Sequence, residues 1–248
     1  DITTTNDNVT FQTATTLTGG VVINTDTGAG TVAFNSTLKS AASVANTLEI
    51  TAGSGNVDFD STVGAGSNRE LGLVTINSAG VIDTDGTFEA AGLDWTAVTE
   101  IQLDGVVTST DMVKLSAALV DINKGMVARG QLIDVNAGAD GLTVDGGTLI
   151  ASGAGADLAG GSIDIDSVGN VVINSTLIAS GSYADGVGLA GGDVTIDVSG
   201  SGNTIAIDAD ISTTGGASTG NVAQGGAAGL IRLDTNGGLI TLTSSFLD

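Results

Sequence analysis

Apolar and polar residues alternate in short stretches along the chain, and the stretches recur at a regular interval. Two examples are Val32-Ala33-Phe34 and Val57-Asp58-Phe59, each with large apolar residues at its first and third positions. Successive side chains of a β-strand point to opposite faces, so we expect one face of each stretch to be buried. Apolar anchor residues follow the stretches with spacings of 21, 25, 25 and 25 residues: Leu17, Leu38, Val63, Phe88 and Val113.

A fixed sequence period in this range is typical of proteins built from stacked repeats. Here the strands are short and are separated by turns rich in Gly, Asn, Ser and Asp. This pattern favours an all-β fold, namely a single-stranded parallel β-helix, or β-solenoid. We expect about nine rungs, which at about 4.8 Å per rung would form a rod about 45 Å long.

We expect one β-solenoid domain over residues 1–248, with three zones that differ in regularity. Residues 1–113 hold the regular 25-residue rungs, and residues 114–147 form irregular rungs that would be either a distorted part of the stack or an interface. Residues 148–248 form Gly-rich rungs, because the hexapeptide at 148–153 recurs at 176–181. The residues added between later copies fall in Gly/Ala segments, so we expect loops that lengthen along one side of the stack.

The composition indicates a chain that folds around an apolar core. It is 41% hydrophobic and contains 39 Gly and no Pro. Gly suits turn positions with positive φ, and the lack of Pro suits central strands in which every N–H joins a hydrogen-bond ladder. The chain has no Cys and no His, which excludes disulfides, thiol nucleophiles and histidine-based acid–base chemistry.

The charge of the chain narrows the classes of partner. Its formal net charge is −22, from 28 acidic and six basic residues. Nucleic-acid binding requires basic surface that neutralises phosphates, so we expect no nucleic-acid partner. No apolar run approaches the roughly 18 residues of a transmembrane helix, so we also expect no membrane insertion.

Aspartates supply the main candidate chemistry. Asp-x-Asp pairs place two carboxylates on the same face of a strand, and two such pairs lie one 25-residue period apart: Asp58 with Asp60, and Asp83 with Asp85. If these pairs stack on adjacent rungs, Ca²⁺ would relieve their repulsion, since Asp carboxylates are common Ca²⁺ ligands. The alternative is that they are solvated aspartates with local turn hydrogen bonds.

An enzymatic alternative rests on the same residues. Parallel β-helices also host polysaccharide-active enzymes, and Asp58 and Asp60 would be the paired carboxylates of glycoside hydrolysis. Sugar subsites generally use aromatic platforms, for which Trp95 and Tyr183 are the chain's only Trp and Tyr. A lyase would need a basic cluster, and its candidates are few: Lys114, Lys124 and Arg129. We therefore expect no catalytic activity.

Several phrases of the chain resemble repeats of known surface proteins. Residues 47–51 (TLEIT) followed by 55–59 (GNVDF), and residues 73–80 (LVTINSAG), are similar to repeats of filamentous-haemagglutinin-type exoproteins and autotransporter passengers. The Gly-rich segments 192–197 and 210–216 resemble the Gly-rich repeats of the same proteins. The resemblance covers most of the chain except about residues 114–147. It implies a right-handed β-helix, secretion and a place on the bacterial cell surface, and it carries no catalytic motif.

These observations together give two functional expectations. The first is a structural or adhesive segment of a large secreted bacterial cell-surface protein, a stiff acidic rod that presents loops. The second is a self-assembling subunit of an extracellular filament, sheath or surface layer that depends on Ca²⁺. The expected partners are the chain's own flanking repeats, copies of itself, and a glycan or protein receptor of the host or matrix.

Overall fold

The computed structural model describes residues 1–153, 158–184, 187–218, 224–243 and 247. Within these residues the protein is all-β, as predicted, and contains no helix. In the described part of the chain, accordingly, no helix is long and apolar enough to cross a membrane. The strands, in chain order, are β1 (Ile2–Thr3), β2 (Val9–Phe11), β3 (Thr15–Leu17), β4 (Val21–Asn24), β5 (Val32–Phe34), β6 (Leu38–Ser40), β7 (Leu48–Thr51), β8 (Val57–Phe59), β9 (Leu71–Ser78), β10 (Val81–Thr84), β11 (Phe88–Thr96), β12 (Glu100–Leu103), β13 (Val107–Ser109), β14 (Val113–Ile122), β15 (Met126–Ala128), β16 (Ile133–Val144), β17 (Leu149–Ile150), β18 (Ile163–Ser167), β19 (Val171–Ile173), β20 (Leu177–Ile178), β21 (Tyr183–Ala184), β22 (Val187–Gly188), β23 (Val194–Val198), β24 (Ile205–Ile207), β25 (Ile211–Ser212), β26 (Ile231–Thr235) and β27 (Ile240–Leu242).

The strands pair in parallel, each with the equivalent strand of the next turn of the chain, and they form three faces. We call these turns coils. The first face consists of β1, β4, β7, β9, β11, β14, β16, β18, β23 and β26. The second face consists of β2, β5, β8, β10, β12, β14, β16, β19, β24 and β27. The third face begins with β3 and β6, continues through Val63, and consists thereafter of β11, β13, β15, β17, β20 and β25. This large, mostly parallel sheet is consistent with a β-solenoid.

The alternation seen in the sequence decides which side chains form the core. Val32, Phe34, Val57 and Phe59 are all at most 1% exposed, as predicted, whereas Ala33 between them faces outward. Each fully buried side chain of this size contributes about 1.5–3 kcal/mol relative to its exposed state. Because the coils are in register, apolar residues of one coil lie against those of the next.

Aromatic side chains form a continuous stack inside the first coils. The rings of Phe11 and Phe34 lie 4.6 Å apart and nearly parallel, and those of Phe34 and Phe59 lie 5.3 Å apart. Phe88 meets Phe59 edge-on at 5.1 Å, and Trp95 packs against both of them. Trp95 is fully buried and therefore belongs to the core, as the sequence favoured.

The 25-residue period ends earlier than the sequence predicted. Phe88 pairs with Val107, which pairs in turn with Met126, so the coils here shorten to 19 residues. The prediction of Val113 as the next anchor is wrong, because it pairs with Leu93 on the first face. The preceding coil has a loop at residues 64–70 between its third and first faces, whereas β11 runs through this corner without a break.

The earliest anchor is also displaced from its predicted position. Leu38 pairs with Thr15, and Leu17 pairs with Ser40. Residues 114–147 continue the parallel pairing through β14 and β16, with one irregularity between Ala117 and Leu119. The change of period in this zone therefore reflects shorter corners within a continuous stack.

Gly-rich loops extend the later coils outward and bond to one another in layers. Gly153 N–H donates to Ser180 O at 3.0 Å, and Gly181 N–H donates to Thr214 O at 2.9 Å. Glycine is required here by close approach, since a Cβ on Gly192 would lie 2.2 Å from Gly161 O. These loops include residues 154–157, 185–186 and 219–223, which lie outside the described part.

One buried side chain predicts a stabilising substitution. Thr84 is fully buried between its register partners Phe59 and Leu103, and its hydroxyl has no hydrogen-bond partner among the described residues. Thr84→Val keeps the shape and removes the unpaired hydroxyl, so we expect stability to rise by about 1 kcal/mol in thermal or urea unfolding. Thr87→Val, at an exposed position, is the control and should change little. A lower stability for Thr84→Val would contradict the prediction.

Candidate functional site

Two columns of polar side chains run along the second face. Parallel pairing in register aligns one outward-facing residue per coil to give the outer column: Asp58, Asp83, Gln102 and Asp121. The residue that follows each strand forms a corner column: Asp60, Asp85, Asp104 and Asn123. The backbone N–H of each corner residue donates to the preceding coil, as in Asp104 N to Thr84 O at 2.9 Å. The repeated backbone geometry therefore fixes the spacing of the side chains.

The tightest carboxylate group in the described residues is Asp83, Asp85 and Asp104, which we call the acidic site. One carboxylate oxygen from each lies within 4.8 Å of the other two. Two of the predicted Ca²⁺ ligands, Asp83 and Asp85, belong to it. Asp58 and Asp60 lie on the adjoining coil, with Asp58 the register partner of Asp83, but outside the group.

Asp104 was missed by reasoning from the sequence because the coil shortens at this point. A 25-residue period from Asp85 leads to Thr110, whereas the structure aligns Asp104 with Asp85 after 19 residues. The available signal was the recurrence of Asp-Gly after an alternating strand, at Asp85-Gly86 and again at Asp104-Gly105.

Amide side chains hold Asp104 on two sides. Gln102 Nε2 donates to Asp104 Oδ2 at 2.9 Å within the same coil, and Asn123 Nδ2 donates to Asp104 Oδ1 at 2.8 Å from the next coil. The same amide of Asn123 lies 3.2 Å from Asp121 Oδ2. These bonds orient the carboxylate of Asp104 and leave further lone pairs on both its oxygens.

Elsewhere in the corner column, amides separate or replace carboxylates. Asn174 Nδ2 donates to Asp145 Oδ1 at 2.7 Å, and Asn35 Nδ2 donates to Gln12 Oε1 at 3.2 Å. An amide above a carboxylate satisfies one of its acceptors without adding charge. From Asp60 to Asp104 three aspartates follow one another without an intervening amide, so charge accumulates at the acidic site.

Burial and repulsion make the charged form of this site costly. Burial raises the pKa of Asp83 to about 6, and the neighbouring carboxylates of Asp85, Asp104 and Asp58 raise it further against a lowering bond from Thr84 N–H. Asp83 Oδ1 is buried and has no hydrogen-bond partner in the described part of the protein. The pKa of Asp58 is also raised, by burial first and then by Asp60 and Asp85.

No Lys or Arg among the described residues forms an ion pair with these carboxylates. A proton or a cation is therefore the means by which the charge can be balanced. Carboxylate oxygens in this number and proximity suit a hard divalent cation such as Ca²⁺, with backbone carbonyls or water completing its six to eight ligands.

The residues considered for an enzyme are not gathered into one site. Trp95 is fully buried and offers no sugar platform. Lys114 lies on the first face, whereas Lys124 follows the strand of the second face and Arg129 follows that of the third. The three basic residues therefore occupy separate parts of the coil.

Comparisons with known proteins leave the geometry as the basis for assigning a function. The chain matches no protein-family model, no curated protein and no solved structure.

The raised pKa of Asp83 predicts a pH dependence of stability. A carboxyl with a higher pKa in the folded state takes up a proton on folding, so its contribution to stability grows as pH falls from 7 through about 6 towards its ordinary value of 3.8. We expect Asp83→Asn to raise the unfolding midpoint at pH 7 and to reduce the difference between pH 7 and pH 5. Asp7→Asn, at an exposed position, is the control. An unchanged pH profile in Asp83→Asn would contradict this prediction.

Proposed function

We propose that this chain is a structural segment of a large secreted bacterial cell-surface protein. In this proposal it is a stiff acidic rod, a right-handed single-stranded parallel β-helix of about nine rungs, that presents loops for adhesion. The observation that carries the proposal is the parallel pairing of neighbouring coils along three faces, from β1 through β26 on the first face.

The continuous core supports a mechanical role. Each coil buries its apolar side chains against its neighbours, so a stack of coils is stable as a unit and resists bending. Strands and core side chains are distributed evenly along the described chain, and the polar groups brought together at the acidic site are all carboxylates and amides. This arrangement suits length and stiffness better than turnover of a substrate.

The surface supports presentation at a distance from the cell. A net charge of −22 keeps neighbouring rods apart in solution. The layered Gly-rich loops form a ridge on one side, and loops on a rigid scaffold are where recognition usually occurs. A glycan or protein receptor of the host or matrix is the partner that this proposal implies.

The end coils support contact with further coils. At one end Ile240 and Leu242 are 38% and 45% exposed although they continue inward-facing columns, and at the other Phe11 is only partly buried. Flanking repeats of the same protein would cover these side chains. Copies of the chain would cover them equally well, which supports the self-assembling subunit as the second candidate function.

Deletion of one whole coil tests the structural role against the enzymatic one. Removing residues 57–81 keeps the register, since Ile82 replaces its own partner Val57 against Val32, and it also removes Asp58 and Asp60. We expect the shortened protein to remain folded, to be about 4.8 Å shorter by small-angle scattering, and to be labelled on intact cells by antibodies against the folded segment.

The matched control removes half a coil, residues 57–68, which displaces every later strand from its register. We expect this variant to lose cooperative unfolding and surface labelling. Labelling of the intact protein only after cells are permeabilised would contradict the proposed location. Loss of folding in the whole-coil deletion would contradict the proposed β-helix.

A calcium-dependent form of this function is favoured by the buried, unpartnered oxygen of Asp83 within the acidic site. We expect 5 mM Ca²⁺ to raise the unfolding midpoint relative to excess EDTA, because a ligand that binds only the folded state stabilises it. Asp104→Asn should abolish the shift, whereas Asp208→Asn, at another corner, should retain it. No shift in the unaltered protein would leave these carboxylates as solvated turn residues, and growth in size with Ca²⁺ would favour the self-assembling subunit.

A further inference from the structure

A second row of carboxylates lies on the outward side of the first face in the C-terminal half. We call it the acidic strip: Asp134, Asp164, Asp166, Asp197 and Asp234. In-register pairing places Asp134 beside Asp164, and it places Asp197 between Asp166 and Asp234. Like charges directly opposite on adjacent strands destabilise a sheet. The pairing that stacks the core therefore also stacks these charges.

The carboxylates of the strip act on one another. Burial raises the pKa of Asp164, and Asp166, Asp134 and Asp197 add to the rise. Burial likewise raises the pKa of Asp166, and Asp197 and Asp134 add to it. The guanidinium of Arg232 lowers both pKa values.

Arg232 joins the last strand of the first face to the preceding one. Its Nη2 lies 2.7 Å from Asp234 Oδ2 on the same strand and 3.4 Å from Asp197 Oδ2 on β23. The only other basic residue in register with the strip is Lys114, beside Asp134 at its far end. Asn136 there donates to Asp134 Oδ1 at 2.6 Å. The cations therefore lie at the two ends of the strip, and Arg232 alone serves the C-terminal end.

The strand that carries Arg232 is held by less burial than the strands before it. Ile231 and Leu233 are only partly buried, whereas their partners Val194 and Ile196 are fully buried. The loss of apolar burial makes the attachment of β26 more sensitive to charge.

We propose that Arg232 is a charge latch that holds β26 against β23 at neutral pH, and that protonation of the acidic strip replaces it in mild acid. At neutral pH the carboxylates are charged, and removal of Arg232 leaves their repulsion uncompensated. As pH falls, carboxyls with raised pKa take up protons in the folded state, so the attachment strengthens without the guanidinium. The latch makes the C-terminal coil responsive to the acidity of its surroundings.

Hydrogen exchange of the whole chain at low salt, at pH 7 and pH 5, tests the latch. We expect Arg232→Gln to lower the protection factors of β26 amides about fivefold at pH 7, the size of two exposed ion pairs, and to leave them nearly unchanged at pH 5. Arg129→Gln, at an exposed position on the third-face corner, is the matched control and should behave as the unaltered protein at both pH values.

The double variant Arg232→Gln/Asp197→Asn separates charge from packing. We expect it to recover protection at pH 7, because it removes one of the uncompensated carboxylates. Equal protection of β26 in Arg232→Gln and the unaltered protein at pH 7 would overturn the proposal. An equal loss at pH 7 and pH 5, without recovery in the double variant, would assign the effect to packing of the arginine stem and would also overturn it.

Discussion

In-register parallel hydrogen bonding between successive coils is the constraint on which the rest of this structure depends. Each backbone N–H of a face reaches the equivalent position of the neighbouring coil, so every side chain lies beside its own counterpart. Apolar residues gain from this arrangement, as the stacked rings of Phe11, Phe34 and Phe59 illustrate. The same constraint makes identical charges neighbours, which is unfavourable. Core stability and surface repulsion thus have one geometric cause.

The protein resolves this conflict differently along its length. At several corners an amide follows a carboxylate and donates to it, as Asn174 does to Asp145. At the C-terminal end of the acidic strip Arg232 supplies a positive charge. At the acidic site of Asp83, Asp85 and Asp104 neither solution is complete, and a proton or divalent cation is the remaining way to balance the charge. The two acidic regions lie on different faces and would respond to different conditions.

Much of the fold was predictable because alternation is a local signal. Val57 and Phe59 are buried and Asp58 faces outward, as their positions in the sequence indicated. The period was less predictable, because loops at the corners can be lost without any change to the strands. The run of β11 through its corner displaced the expected anchor at Val113 and concealed the alignment of Asp104 with Asp85. Corner length depends on how the faces meet, and strand patterns do not contain that information.

The sequence by itself determined the all-β class, the inward residues, the acidic surface and the exclusion of cysteine and histidine chemistry. These properties follow from residue type and from the two-residue period of a strand. Only the tertiary structure decided which aspartates become neighbours, since that depends on coil length and register. It grouped Asp104 with Asp83 and Asp85, and it brought Arg232 to Asp197 across strands that are far apart in sequence. Local pattern fixes the direction of a side chain, whereas its partner is fixed by the length of chain between successive coils.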